Sequence, residues 1–509
     1  MKADASGADD GSSWIDAFDD LQDALDVAAP GDEIWVVAGR YVPSRPFCAE
    51  PLCVAFSLLA GVSLFGGFAG SEDSRNERDI RADTTVLDGD LLGDDTATEG
   101  RSENAVHVLV ALDPVDEGTV LNGFYVRSGN ATSSSAPGPF VGASLYVVDG
   151  HPTITNCAFI ANFCRPVANN IGAAINFEGG SPSVSRCDFR GNGCAGVGTL
   201  GSTDLVVEEC LFRRNSGVSA GVTINETTGA DVRDCRFADS RASVGGGVRS
   251  LDSSAVRIAR CVSRDLDATG GGGVNFTRSS DCLVRECSFR SCRATGGGSV
   301  RIASASGCVV RSCAFRFSGA TGGAAFDLSG STDCAVVECD MRDGEATDGN
   351  AIDVSSGDRF SIVNCVVANG SSGPPGSSAV SVRNCPKFLV AHCTIVSNDS
   401  NGFRAASGSG VAMVDSISFS NAAAEILVDF DAAFSARFSD IQGGWPGDGH
   451  LDANPGFVSP GTGDFHLLGT SPCVDAGDDA SLPADAADLD DDGDGGVRVD
   501  MGAFERQGG

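Results

Sequence analysis

The stretch 287–342 reads CSFRSCRATGGGSVRIASASGCVVRSCAFRFSGATGGAAFDLSGSTDCAVVECDMR, and within it Cys287, Cys313 and Cys339 recur at a constant interval. The same spacing runs outward in both directions. Cys157, Cys187, Cys210, Cys235, Cys261, Cys287, Cys313, Cys339, Cys365 and Cys393 differ successively by 30, 23, 25, 26, 26, 26, 26, 26 and 28. A self-similar period in this range is the mark of a repeat architecture. Two positions after each cysteine stands Phe159, Phe189, Phe212, Phe237, Phe289, Phe315, Met341, Val367 or Ile395, with Ser263 the exception. Two is the strand period, so cysteine and phenylalanine share one face. Arg190, Arg213, Arg264, Arg290, Arg316 and Arg342, three past the cysteine, fall on the other face. Glu209, Asp234, Glu286 and Glu338, just before it, extend the polar alternation.

A second ladder precedes this one in each unit. Val248, Val274, Val300, Phe326 and Ile352 recur at the same interval, and Ser250, Phe276, Ile302, Leu328 and Val354 follow two positions later. Glycines sit ahead of it at 245–247, 270–273, 296–298 and 322–323. There they would supply positive φ at a tight corner. A third short run (Val256-Arg257-Ile258, Leu283-Val284-Arg285, Val309-Val310-Arg311) completes the unit. Three short strands and three turns per repeat describe one rung of a parallel β-helix. Helical periodicity and a Leu/Asn consensus are both missing, which removes helical solenoids and leucine-rich repeats. The expected fold is all-β: a right-handed parallel β-helix of about a dozen rungs with three short strands each. Rungs stack at roughly 4.8 Å, so identical side chains pile up inside. The expected organisation is an N-terminal cap and first strand (1–40), irregular first coils (41–150), regular rungs (151–420), and C-terminal coils with a cap or anchor-like segment (421–509).

Composition agrees with that architecture. The chain has 509 residues. A single globular core rarely serves that length, whereas a solenoid packs each unit only on its neighbours. Glycine numbers 67, and hydrophobic residues make up 42% of the chain. That is too apolar for disorder. The net charge is −34. It argues against a nucleic-acid partner, because phosphate binding needs clustered basic charge. It suits cations and neutral or cationic surfaces, and solubility alone also accounts for it. Lysine occurs only at Lys2 and Lys387. No stretch is long and apolar enough to span a membrane, and no signal peptide is visible after Met1.

Twenty cysteines raise the question of disulfides. For the main ladder, buried free thiols suffice, since cysteine is a small residue that buries well. Cys282, Cys308 and Cys334 form a shorter stack of the same kind. Cys48 and Cys53 bracket a short loop, and Cys164 and Cys194 each follow a ladder cysteine by seven positions. Both pairs are expected disulfides, which fits an oxidising, extracytoplasmic setting.

Residues Ser13 to Ala29 read as an amphipathic capping helix with Trp14, Phe18, Leu21 and Leu25 on one face. The opening DGSSWIDAFDDLQDALDVAAPGDEIWVVAGRY resembles the start of bacterial right-handed β-helix repeat proteins of the pectin-lyase-like superfamily. The closing DANPGFV, GDFHL, GTSPCVDAGD and VDMGAFE resemble their C-terminal block, including that of choice-of-anchor surface proteins. The resemblance spans nearly the whole chain. It implies the fold and a secreted or cell-surface location, and it supplies no reaction.

Candidate chemistry is sparse. Asp488, Asp490, Asp492 and Asp494, with Gly493 and Gly495, alternate as in a calcium loop. Structural calcium and a solvated acidic loop are both compatible with them. Arg301, Asp327 and Asp353 occupy one outward stripe. Strand spacing then places the two acids on adjacent rungs roughly 5 Å apart. Such a pair could serve glycoside hydrolysis or hold calcium, and one pKa should rise. The competing reading, a solvated ladder of mixed charge, is preferred. Relatives that cleave polysaccharides bring acid, lysine and histidine patterns that this sequence does not reproduce. His107, His151, His392, His450 and His466 form no zinc pattern. Trp445 is the one tryptophan expected to be exposed for sugar stacking; longer inserts lie at 128–142 and 371–378. The function expected is therefore a non-catalytic secreted or surface protein, structural or adhesive, with a polysaccharide or another cell surface as partner. The alternative is a polysaccharide lyase or glycoside hydrolase using Asp327, Asp353 and Arg301.

Overall fold

A computed structural model of the chain describes residues 1–96, 99–132, 136–138, 140–165, 173–346, 349–371, 377–478 and 499–503. The chain divides into two units, Met1–Arg257 and Ile258–Gly509. This division falls inside the segment 151–420, which the sequence presents as one regular stretch. Every rung packs only on its neighbours, so contacts need not divide where the sequence changes character.

In the first unit three columns of parallel strands wind around a common interior. One runs from Glu33–Val37 through Ser63–Phe68 and Thr153–Thr155 to Asp231–Arg233. The second runs from Phe56–Ser57 through Ala173–Glu178 to Val248–Leu251. The third runs from Gly39–Tyr41 through Asp188–Arg190 to Arg236–Arg241. Each column holds seven strands, hence seven rungs. The second unit repeats the plan. Its third column has eight strands, from Val262–Ala268 to Asp440–Ile441. Together these make about fifteen turns, more than the dozen expected. The extra turns come from the long early coils and from the rungs beyond Cys393, where no ladder cysteine marks the repeat.

Parallel register puts like side chains on like. Phe159, Phe189, Phe212 and Phe237 stack with centroids 5.0, 4.8 and 4.9 Å apart and ring planes within 13° of parallel. Phe289 and Phe315 repeat this in the second unit at 4.9 Å. The ladder cysteines are buried, free thiols. The thiol of each sits 3.4 Å from the N–H of the preceding ladder cysteine in pairs such as Cys187 to Cys210 and Cys287 to Cys313. Five positions past the ladder cysteine a second interior row appears. Asn162, Asn192 and Asn215 are buried, and Asn162 and Asn192 each donate Nδ2 to the next Oδ1 at 3.1 Å.

Corners are turned largely without glycine. The residue before the ladder cysteine is left-handed, as at Glu209 (φ 53°), Asp234 (57°), Glu286 (56°) and Glu338 (54°). These acids are corner residues, and a short polar side chain such as that of Asp234 tolerates αL better than most. The glycines at 271, 272, 273 and 323 do not take positive φ. They are required by close approach: a Cβ at Gly271 would overlap the Val274 carbonyl, and one at Gly323 the Phe326 carbonyl.

The N-terminal helix is shorter than expected. It covers Leu21–Val27, with Asp20 as N-cap accepting from the Gln22 N–H. Residues before it are drawn into turns, with Gly7 N–H bonded to the Ile15 carbonyl and Gly11 N–H to that of Asp16. At the other end, the antiparallel pair Phe457–Ser459 and Asp464–Leu467 lies in the second unit. Phe465, Leu467, Cys473 and Met501 pack against Val366, Val396 and Ile417, and so cover that side of the rungs.

Replacing Phe189 with Ala, at the centre of a ring column, should cost about 3–5 kcal/mol, because the rungs above and below are held in register and cannot collapse into the gap. A urea midpoint unchanged by the substitution would contradict the stacked interior.

Candidate functional site

Asp327 and Asp353 are register partners on adjacent strands, as the repeat requires. They are not free. Arg301 Nε donates to Asp327 Oδ2 at 3.3 Å. Arg383 Nη2 donates to both oxygens of Asp353 at 3.0 and 2.8 Å. The glycine segments lie over this row: a Cβ at Gly296 would meet Asp327 Oδ2 and Arg301 Cδ at 3.1 Å. Asp353 is buried. Burial pushes the Asp327 carboxyl above its ordinary range, against the pull of Arg301. Among the described residues the geometry is a row of ion pairs, with Asp353 buried and Asp327 largely so.

The other expected residues fall as follows. Cys48 and Cys53 are joined by a disulfide with Cα atoms 5.5 Å apart. Cys164 and Cys194 are not joined. They remain thiols, buried in a small cluster with Ala131 and Ala143. The Cys164 thiol donates to the Ala173 carbonyl at 3.2 Å and the Cys194 thiol to that of Asn162 at 3.8 Å, so each finds a carbonyl acceptor in the rungs around it. Asp488, Asp490, Asp492 and Asp494 lie outside the described residues. Trp445 is half-buried, edge-on to Phe434 at 5.0 Å.

Among the described residues two phenylalanine rings are exposed, Phe430 and Phe317, and Phe317 is the one in the regular rungs. Alternation from Phe315 would turn it inward, but the strand ends at Arg316 and the chain turns at residue 317. This corner lies four positions past the ladder cysteine and is left-handed in rung after rung: Asp265 (52°), Ser291 (52°), Phe317 (52°), Asp343 (57°) and Asn369 (57°). Asp, Asn and Ser accept that conformation readily; a phenylalanine there costs about 1–3 kcal/mol. Burial does not offset this, since Phe317 is 53% exposed. Its ring centroid lies 5.6 Å from the Arg290 guanidinium. That is a cation–π contact, and it fixes one face of the ring.

Beside the ring is a notch of about 340 Å³ lined by Arg293, Gly319, Asp343, Glu345, Asn369 and Ser371 among others. Arg293 pairs with Gly319, Gly319 with Glu345, and Glu345 with Ser371. Arg293 and Glu345 are thus two rungs apart, roughly 10 Å, with only a glycine on the rung between them. Among the described residues, the side chains of Arg293, Asp343, Glu345 and Asn369 make no hydrogen bond or ion pair to the protein. An exposed ring, two carboxylates, an amide and a guanidinium therefore face one opening. The signal in the sequence is an aromatic residue at a position that other rungs fill with Asp, Ser or Asn, or with Ala161, Gly191 and Arg214. A larger trough of about 640 Å³ crosses Ser361, Leu389, Ala412 and Ser435. Its lining is mostly apolar and includes Phe434 and Lys387, and its Arg359 is already bound by Asp333 at 2.7 Å.

The model of the right-handed β-helix region matches residues 124–261, 220–373 and 298–444, together more than half of the chain. The chain belongs to the right-handed β-helix family. Among curated proteins no match is found. Solved structures similar to it include pectate lyase Pel9A, 11% identical over 99% of this chain and 95% of that one, with a TM-score of 0.30. PfbA, a surface adhesin of Streptococcus pneumoniae, is 11% identical over 81% and 92%, with a TM-score of 0.40. The A-module of the Azotobacter vinelandii mannuronan C-5 epimerase AlgE4 is 13% identical over 82% and 93%, with a TM-score of 0.35. No helix among the described residues is long and apolar enough to cross a membrane.

Burial of Asp327 gives stability a pH dependence. Its folded-state pKa is raised. The folded protein therefore favours the neutral form, and ionisation at neutral pH costs stability. Below the ordinary aspartate range both states are protonated and the cost is gone. Asp327→Asn should be at least as stable as wild type at pH 7, with the advantage closing as both states protonate in acid. Thermal melts across that range check it. A variant that loses stability at neutral pH relative to acid would show the Arg301 pair outweighing burial.

Proposed function

We propose that the protein is a non-catalytic, secreted or cell-surface β-helix that binds neutral polysaccharide, with the Phe317 corner as its sugar-binding site. The observation that carries this reading is the exposed, conformationally costly ring beside a notch of unsatisfied polar groups. Strain of this kind persists where surrounding structure enforces it, and it clusters at functional sites. A sugar ring offers an apolar C–H face to the open side of Phe317. Its hydroxyls match carboxylate and amide acceptors at Asp343, Glu345 and Asn369, and the Arg293 donors. Repetition at the rung spacing would let successive hydroxyls of one chain meet successive rungs. The net charge of −34 disfavours polyanionic chains, which is why neutral glycans are named. The Cys48–Cys53 disulfide suits an oxidising compartment.

One observation favours the enzymatic reading: Asp343 and Glu345 are two carboxylates at one opening. Hydrolysis would need one of them to act as an acid, which apolar surroundings promote, and Glu345 stands exposed.

Affinity electrophoresis against neutral and acidic polysaccharides, paired with a reducing-end assay, tests the proposal. Retardation by a neutral glycan, weakened roughly tenfold by Phe317→Asn, is expected, since ring stacking contributes about 0.5–1.5 kcal/mol beyond area. The same substitution should raise thermal stability by relieving the left-handed phenylalanine, so lost binding would not reflect unfolding. No glycan binding, or binding indifferent to Phe317, would remove this site. New reducing ends abolished by Asp343→Asn and Glu345→Gln would replace the binding reading with a hydrolase.

A further inference from the structure

The longest early coil of the first unit leaves the strand Thr85–Asp88 and returns at Asn104. It carries Asp90, Asp94, Asp95 and Glu103, with Asn104 at its end. Ligand oxygens of Asp90, Asp95 and Glu103 all lie within 4.8 Å of one another. That is the span of two oxygens held on opposite sides of one calcium ion, at about 2.4 Å each.

Asn104 gives a second, independent indication. It is fully buried, and its Nδ2 donates to Asp95 Oδ2 at 2.9 Å, which places its amide head in the cluster. Its Oδ1 has no partner, and neither do Asp95 Oδ1 and Glu103 Oε1, all three shielded from solvent. Buried acceptors left unsatisfied cost stability, and carboxylates crowded together repel. Nearby guanidinium charge meets only Asp90 of the three acids, whose carboxylate lies 3.9 Å from Arg40 Nη2 and accepts the N–H groups of Gly93, Asp94 and Asp95. Arg40 and Arg127 both bond Asp88, at 2.6 and 2.7 Å, and Arg40 also reaches the Asp90 carbonyl.

We propose that Asp90, Asp95, Glu103 and Asn104 form a binding site for one calcium ion, which fastens the 89–104 coil to the first unit. The donors are all oxygen and mostly charged, the set that selects a hard divalent cation. The ion satisfies the three orphaned oxygens and cancels the mutual repulsion of the acids. The site is distinct from the 488–494 loop and independent of the Phe317 notch.

The test compares the full chain with an Asp95→Asn/Glu103→Gln variant, after chelation, by calorimetric titration with calcium chloride and by thermal melting. Wild type is expected to bind one more equivalent than the variant. Saturating calcium should raise its melting temperature by roughly 5 °C. In chelator the order should reverse, with the variant melting at or above wild type because repulsion has been removed. Equal stoichiometry in the two proteins would overturn the site. If the variant does not fold, hydrogen exchange of the wild type decides. Exchange in 89–104 slowed by calcium supports the site, and exchange there unaffected by calcium overturns it.

Discussion

The parallel hydrogen-bond ladder, and the register it imposes, is the constraint on which each unit depends. A strand bonded in register to an equivalent strand places every residue over its counterpart from the rung before. Inside, this makes columns of one residue type, such as the phenyl stack from Phe159 to Phe237 and the buried Asn162, Asn192 and Asn215. Such columns are self-consistent: a ring, a thiol or an amide that suits one rung suits the next. Outside, the same rule lines up charges, and the structure answers with complementary partners, as where Arg301 meets Asp327 and Arg383 meets Asp353.

Corners translate that regularity into function. Each rung must change direction within one or two residues, and left-handed residues do so at little cost when they are Asp, Asn or Ser. Phe317 departs from the pattern at a corner, where the side chain leaves the stack and meets solvent. A strand position would have buried it. The glycine clusters play a different part: they let backbone lie directly on the neighbouring strand, and in doing so Gly296 and Gly322 come close to the Asp327 side chain.

Much of the fold is legible from spacing alone. The cysteine ladder and its period-2 partners determine the strand columns, the inward face and the free buried thiols. The Cys48–Cys53 loop is short enough to close. Spacing says less where the repeat loosens, in the early coils and beyond Cys393, and so it undercounts the turns. The disulfide expected at Cys164 and Cys194 rests on proximity, which is necessary but not sufficient: both are buried free thiols beside backbone carbonyls.

Sequence by itself determined the repeat, its all-β class and the identity of its interior columns, because those follow from periodicity, a local property read along one strand. Only the tertiary structure decided which outward residues are covered and which are open. It alone showed that Phe317 turns out while Phe315 turns in, and that Asp90, Asp95, Glu103 and Asn104 converge. Those outcomes depend on where a corner falls and how a long coil folds back. Neither is periodic, so no spacing in the chain encodes them.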